Sequence, residues 1–220
     1  MFNLTYLQKA RYNVMMGTIK QQEIENIKKL YYDKQLSIKK IANECNISVN
    51  ALTYFMRKHN LKRRTPSENS KINFDKKELS FKEGVVNDRN KELVAFGIAL
   101  YWAEGYKTEK SSGIDFANSD PSLVKIFLSF LRTLYMPNEK RFRVYLYCHS
   151  HEVAAKNIAF WSRITGIPKK QFLKPYIQQK IRKSGRIMKH GLIHVRYNDK
   201  KLLFRVREFI DQYQTRFSNI

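Results

Sequence analysis

Acid is scarce in this chain. Its 220 residues include 19 Asp or Glu against 42 Lys or Arg, giving a formal net charge of +23 and a sequence pI near 10.0. Such an excess strains the folded state by self-repulsion unless an anion answers it, which puts nucleic acid first among partners. A membrane surface, an acidic protein and a merely solvated basic surface are the alternatives. Cysteine is scarcer still: only Cys45 and Cys148 occur, with no C-x-x-C spacing. That excludes a cysteine-based zinc finger and suits buried thiols in a reducing compartment. No apolar run reaches transmembrane length, the first residues lack a signal-peptide core, and no tandem repeat or low-complexity tract occurs. The expectation is a cytoplasmic, nucleoid-associated protein with no membrane partner; an organelle stays open. The length suits one larger domain or two unequal ones.

Residues 1–20 scatter their apolar side chains without a period, and pattern begins after them. Ile24, Ile27, Leu30 and Tyr31 predict a helix over 22–33. A second, short helix follows over 36–45 with Ser37 as N-cap. Asn46 and Ile47 turn the chain, Ser48 caps again, and 49–59 makes a third helix. Ile38, Ile41, Ala42, Ile47, Leu52 and Met56 would form the small core. The third helix then turns Asn50, Thr53, Tyr54, Arg57 and Lys58 outward, side chains able to reach base edges and phosphates in a major groove. Lys62, Arg63 and Arg64 add charge suited to phosphate or minor-groove contact. These residues resemble a helix-turn-helix unit of the resolvase and transposase type. A small packing module with a solvated basic face is the plainer alternative.

From Thr65 the composition turns polar, and 65–86 reads as a linker with a short extended piece around Ile72 to Phe74. Beyond it the signals alternate. Weak alternation over 113–118 predicts a strand. Asp120 and Pro121 start a helix carrying Leu123, Val124, Phe127, Leu128, Leu131 and Leu134. Over 141–148, Arg141, Arg143, Tyr145 and Tyr147 face one way, and Phe142, Val144, Leu146 and Cys148 the other. A helix over 151–165 stops at Gly166. Extended stretches at 171–178 and 191–197 flank a basic loop holding Lys180, Arg182, Lys183, Arg186 and Lys189. In the later stretch Leu192, His194 and Arg196 share one face. A helix over 199–213 closes the chain. The sum is a mixed α/β domain with a predominantly antiparallel sheet, helices on one face and basic and aromatic residues along the other.

The helical run at 91–105 is apolar nearly all round and ends in Glu104-Gly105. An acid at a helix C-terminus opposes the dipole. Ala95, Ala99 and Ala103 lie four apart and form a small-residue face, with Gly97 opening a neighbouring position. An ordinary core helix explains the apolarity but not the acid. If two copies cross closely, two Glu104 carboxylates meet at the foot of the pair, where cations must separate them.

The segment from Gly97 to Gly105 resembles the signature of the LAGLIDADG homing endonuclease family, with Ala99 and Ala103 on its packing positions, Glu104 on its metal-binding acid and Gly105 on its terminal glycine. Gly97, Tyr101 and Trp102 depart from the consensus, and glutamate replaces the usual aspartate. The expected α+β chain is then a helix-turn-helix domain over 1–64, from the first resemblance, the linker 65–86, and, from the second, a LAGLIDADG-like domain with an antiparallel DNA-binding sheet over 87–220. Its order departs from the family's in an extra helix at 151–165 and a very short first hairpin. The second resemblance further implies a homodimer joined through helix 91–105 that binds double-stranded DNA by its sheets. Cleavage would use Mg²⁺, for which Mn²⁺ may substitute, held at Glu104 and Gly105. Lys174, Arg143 and Arg196 are candidates for an auxiliary basic residue, with Lys174 the one expected to be catalytic. Arg141, Arg143, Tyr145, His194 and Arg196 would contact DNA with the basic loop. Asp115 and Asn118 make a polar cluster with Asp120, itself better explained as a helix cap; His149 and His151 flank a strand end. Relatives of the fold that do not cut serve as transcriptional regulators or RNA-binding maturases, which keeps both open as alternatives.

Overall fold

A computed structural model describes residues 21–108, 110–177 and 188–218. The chain divides into two compact units, Met1–Glu78 and Leu79–Ile220. The first is helical throughout its described residues; the second is α+β around one sheet.

In the first unit α1 (Gln21–Lys28) runs into a π-helical turn, Lys29–Asp33, and packs beside α2 (Ile38–Glu44) and α3 (Val49–Lys58). Ser37 accepts from the Lys40 amide and Ser48 from the Ala51 amide, so both short helices start at hydroxyl caps. Between them Asn46 takes a left-handed conformation (φ 54°), which the short polar side chain of asparagine tolerates. Ile41, Ala42, Leu52 and Met56 are buried as the periodicity predicts; Tyr31, Phe55 and Leu61 join them.

The 65–86 segment departs from the linker expectation. Thr65 and Glu68 form a reciprocal capping box with Pro66 at the first helical position, launching α4 (Pro66–Lys76) through the stretch expected to be extended. Lys76 ties its end to the carbonyls of Lys34 and Gln35. Residues 79–84 belong to the second unit: Phe81 is buried, Ser80 bonds Tyr197 and Asp199, and the Lys82 and Gly84 amides donate to Tyr135 and Leu134. Arg205 adds an ion pair to Glu83.

The second unit orders α5 (Lys91–Glu104), β1 (Ile114–Asn118), α6 (Pro121–Tyr135), β2 (Phe142–Cys148), α7 (His151–Thr165), β3 (Tyr176–Ile177), β4 (Leu192–Tyr197) and α8 (Lys200–Phe217). The strands lie in the order β1-β4-β2-β3. The two long pairings are antiparallel, whereas the two-residue β3 pairs parallel with β2. The 171–178 stretch is thus mostly not ladder: a short 3₁₀ turn, Lys169–Gln171, precedes a single bridge at Phe172. Gln171 is buried there, donating to the carbonyls of Glu139 and Phe142.

Strand alternation decides which face is covered. Ile114, Phe116, Phe142, Val144, Leu146, Ile193, Val195 and Tyr197 are buried, packed with α6, Trp161 of α7, and Leu202, Val206 and Ile210 of α8. Their neighbours at odd positions of β1 and β2 and even positions of β4 are half-buried or exposed. One side of the sheet is therefore core and the other is open. Among the described residues no helix is long and apolar enough to cross a membrane.

Candidate nucleic-acid interface

The open sheet face is built by register. Asp115 sits opposite Arg196, which sits opposite Arg143; His194 lies between Ala117 and Tyr145. The Asp115 carboxylate uses both oxygens, one accepting from Arg196 Nε at 2.7 Å and the other 2.9 Å from His194 Nδ1. The Arg196 guanidinium lies over the Tyr145 ring, 4.3 Å from its centroid. Tyr147 packs against both His194 and Tyr176, with ring centroids 5.0 and 5.3 Å apart. The result is a strip of aromatic and cationic side chains across the strands, able to meet bases and phosphates alike. Beside it lies a shallow cleft of about 360 Å³, where Asp115 and Arg196 meet Thr108, Ser111 and Asn198.

Other expected contacts sit less freely. Arg143 is exposed, but its Nη1 donates to the carbonyls of Lys140 and Phe142. Arg141 is turned to the sheet's end, donating to the Asn198 carbonyl and lying 5.5 Å from the Tyr197 centroid. Lys174 and Lys189 are exposed; the chain at Leu173 is fixed by its N–H, which donates to the Val144 carbonyl. Lys180, Arg182, Lys183 and Arg186 lie outside the described residues. Asp120 is the cap of α6, accepting from Ser122, and Asn118 accepts from Asp120's amide. His149 is exposed at the end of β2, and His151 is the first residue of α7. Burial pushes the Cys45 and Cys148 thiols up, which suppresses the reactive thiolate.

On the first unit, Asn50, Thr53, Tyr54, Arg57 and Arg63 line one concavity of about 330 Å³, floored by Leu61. Arg57 lies 5.6 Å from the Tyr54 centroid, and Lys58 is exposed beside it. Arg64 does not join them, contrary to expectation. It folds inward: its guanidinium lies 4.1 Å from the Tyr31 centroid and donates to the Leu36 carbonyl, while its amide donates to the Tyr31 hydroxyl. These bonds to the π-helical turn and the loop after it turn the side chain away from solvent.

Helix α5 has two apolar faces of different fate. Val94, Ile98 and Tyr101 are buried in the core. Gly97 is with them rather than beside the alanine stripe. A Cβ there would lie 2.2 Å from Phe130 Cγ, so glycine is what lets α5 approach α6. Ala99 and Ala103 are exposed and Ala95 is half-buried; Phe96 (50%) and Trp102 (39%) are exposed beside them. A helix apolar on all sides is normally enclosed on all sides. This one is enclosed on one.

At the foot of α5, Gly105 turns the chain into a bridge with Phe116, and the Tyr106 amide donates to the Asp115 carbonyl. The Tyr101 hydroxyl donates to the Tyr106 carbonyl, and burial pushes its phenol well above the usual tyrosine range. Lys107 Nζ donates to the carbonyls of Trp102 at 2.6 Å and Gly105 at 3.0 Å, offsetting the negative end of the helix dipole. Glu104 is exposed and makes no hydrogen bond or ion pair among the described residues.

Asp115 and Lys107 are the positions that sequence reasoning underrated. Asp115 alternates with Ile114 and Phe116, which was enough to turn it outward; its partners on β4 are set by register, which carries no local signal. Lys107 looks like one more lysine in a polar turn. No family model matches the chain, and no curated protein or solved structure matches it either.

Proposed function

We propose that the chain is a double-stranded-DNA-binding protein that pairs through α5 and acts as a site-specific, metal-dependent endonuclease. The observation that carries the reading is the outward face of α5, where Phe96, Ala99, Trp102 and Ala103 leave apolar surface uncovered just above Glu104, which has no partner among the described residues. A second copy crossing at the alanines would bury that surface and bring two Glu104 carboxylates together. The net charge of +23 and the open strip of Arg143, Tyr145, Tyr147, His194 and Arg196 support DNA as the ligand. The order of α5, the bridge at Gly105, β1, α6, β2, β4 and α8, with α7 and β3 inserted between β2 and β4, supports the LAGLIDADG-like reading of the second unit. The capped pair α2 and α3, with Asn50, Thr53, Tyr54, Arg57 and Arg63 around one concavity, supports the helix-turn-helix reading of the first.

Glu104 fits the part of a carboxylate ligand for a divalent cation, since no described residue competes for it. Gly105 fits it poorly, because its carbonyl already accepts from Lys107. Mg²⁺ or Mn²⁺ at that acid would supply Lewis-acid stabilisation to hydrolysis of a phosphodiester by water. The chain's own share is positional. Paired α5 helices set the spacing of the Glu104 carboxylates, and the sheets hold the duplex in register. Lys174 remains the candidate for a cationic side chain near the cut.

The engaged Gly105 carbonyl favours one second reading, a non-cleaving regulator on the same dimer. Plasmid bearing the DNA that flanks this gene, incubated with and without Mg²⁺, separates the two. Cutting by the native protein, lost in Glu104→Gln with binding retained, is the expected result. Intact DNA bound equally by both proteins refutes the nuclease and leaves the regulator. A solution mass of one chain, with or without DNA, refutes the paired α5 helices in either reading.

A further inference from the structure

Among the described outward positions of the sheet Asp115 is the one acid, set among Arg143, Arg196, His194 and the rings of Tyr145 and Tyr147. It caps no helix and lies outside the core, and on a surface facing phosphates its charge opposes binding. Its geometry gives it a use. One oxygen takes Arg196 Nε at 2.7 Å, the other holds His194 Nδ1 at 2.9 Å, and the Tyr145 ring lies beneath the guanidinium at 4.3 Å. Arg196 has therefore given up its rotamer freedom before any ligand arrives. Its Nη1 and Nη2 make no hydrogen bond among the described residues and remain as a fixed fork of donors.

A phosphate and a guanine edge both accept such a fork, and charge separates them. The Asp115–Arg196 pair is neutral overall, which makes it a poor clamp for an anion. A neutral base edge with two adjacent acceptors loses nothing by the presence of the acid, and guanine O6 and N7 are that edge in the major groove. We infer that Arg196, positioned by Asp115 and Tyr145, reads a guanine in double-stranded DNA rather than a backbone phosphate. The inference rests on the open sheet face being the DNA surface.

The test is selection from randomised duplexes by the full-length native protein, Arg196→Met and Asp115→Asn, each first checked for a native melting transition. Methionine keeps the length and loses every donor, whereas lysine could still reach guanine; asparagine keeps the shape and loses the pair. In the native protein one position per subunit selects guanine. In Arg196→Met that preference falls about 10- to 100-fold while the other positions hold. Asp115→Asn relaxes the same position and steepens the salt dependence by up to about one phosphate contact. If Asp115→Asn does not fold, Arg196→Met decides alone. A guanine preference unchanged in Arg196→Met, or a uniform loss of affinity with no change in preference, overturns the inference and leaves the DNA surface standing. Binding and preferences unaltered by joint Arg143→Ser and Tyr147→Ser refute the sheet face as DNA surface, and the inference with it.

Discussion

Replacing Gly97 by alanine tests which face of α5 belongs to the core. The added Cβ would lie 2.2 Å from Phe130 Cγ and 2.4 Å from Phe130 Cβ. Ordinary contact needs about 3.5–4.0 Å. Phe130 is fully buried, set edge-to-face against Tyr135 and tilted against Phe127, so its ring has no empty space to enter. Its Cβ moves only with the backbone of α6, so the two helices must part. That places the overpacking cost near the upper end of the usual range, about 3 kcal/mol. Alanine returns about 1 kcal/mol of helix propensity over glycine. The net loss is about 2 kcal/mol, a fall in melting temperature of about 4–8 °C for a unit of this size. Calorimetry or circular dichroism reads it directly. Ala99→Leu is the partner experiment: on the exposed face it leaves the stability of the single chain within about 0.5 kcal/mol, but should convert the proposed α5-paired dimer to a monomer by light scattering. Gly97→Ala melting at or above the native temperature would refute the packing argument. Ala99→Leu that stays dimeric would refute the seam.

Arg64→Ala should destabilise the first unit by about 1–2 kcal/mol, through loss of the Tyr31 stacking and the bond to Leu36. Arg63→Ala, at an exposed position, should leave its melting unchanged and weaken only the proposed DNA binding; equal melting of the two variants would count against the inward placement of Arg64. The Thr65 amide and hydroxyl hold the Glu68 carboxyl below the usual glutamate range. A depressed folded value means the capping box contributes fully above the ordinary carboxylate pKa and is lost as pH falls through the folded one. An NMR titration of Glu68 should show that low midpoint, with α4 amide protection falling alongside it; a midpoint at the ordinary value would contradict the cap.

The elements of the second unit were legible because their signals are local. Asp120-Pro121 starts α6, Gly166 ends α7, and the alternation of Phe142, Val144, Leu146 and Cys148 sorts β2 into two faces without reference to any other strand. The capped helices of the first unit were legible for the same reason, since Ser37 and Ser48 act within three residues. The alanine spacing of α5 and the odd acid at its end also stood in the sequence alone. α4 was missed although Thr65, Pro66 and Glu68 announce it, because its polar composition outweighed its cap.

What only tertiary structure decided involves partners far apart in the chain. Gly97 could equally have faced a second helix; Phe130 of α6 settles that it faces the core. Arg64 had the composition of a phosphate contact, and Tyr31 and Leu36 drew it inward. Residues 79–84 looked like linker until Tyr135, Tyr197 and Asp199 supplied bonds from 50 to over 100 positions away. Asp115 was readable as outward, but its hold on Arg196 and His194 comes from the β1–β4 register, which depends on how the core fills. Periodicity and caps are written residue by residue; close approach and register are properties of the packed whole.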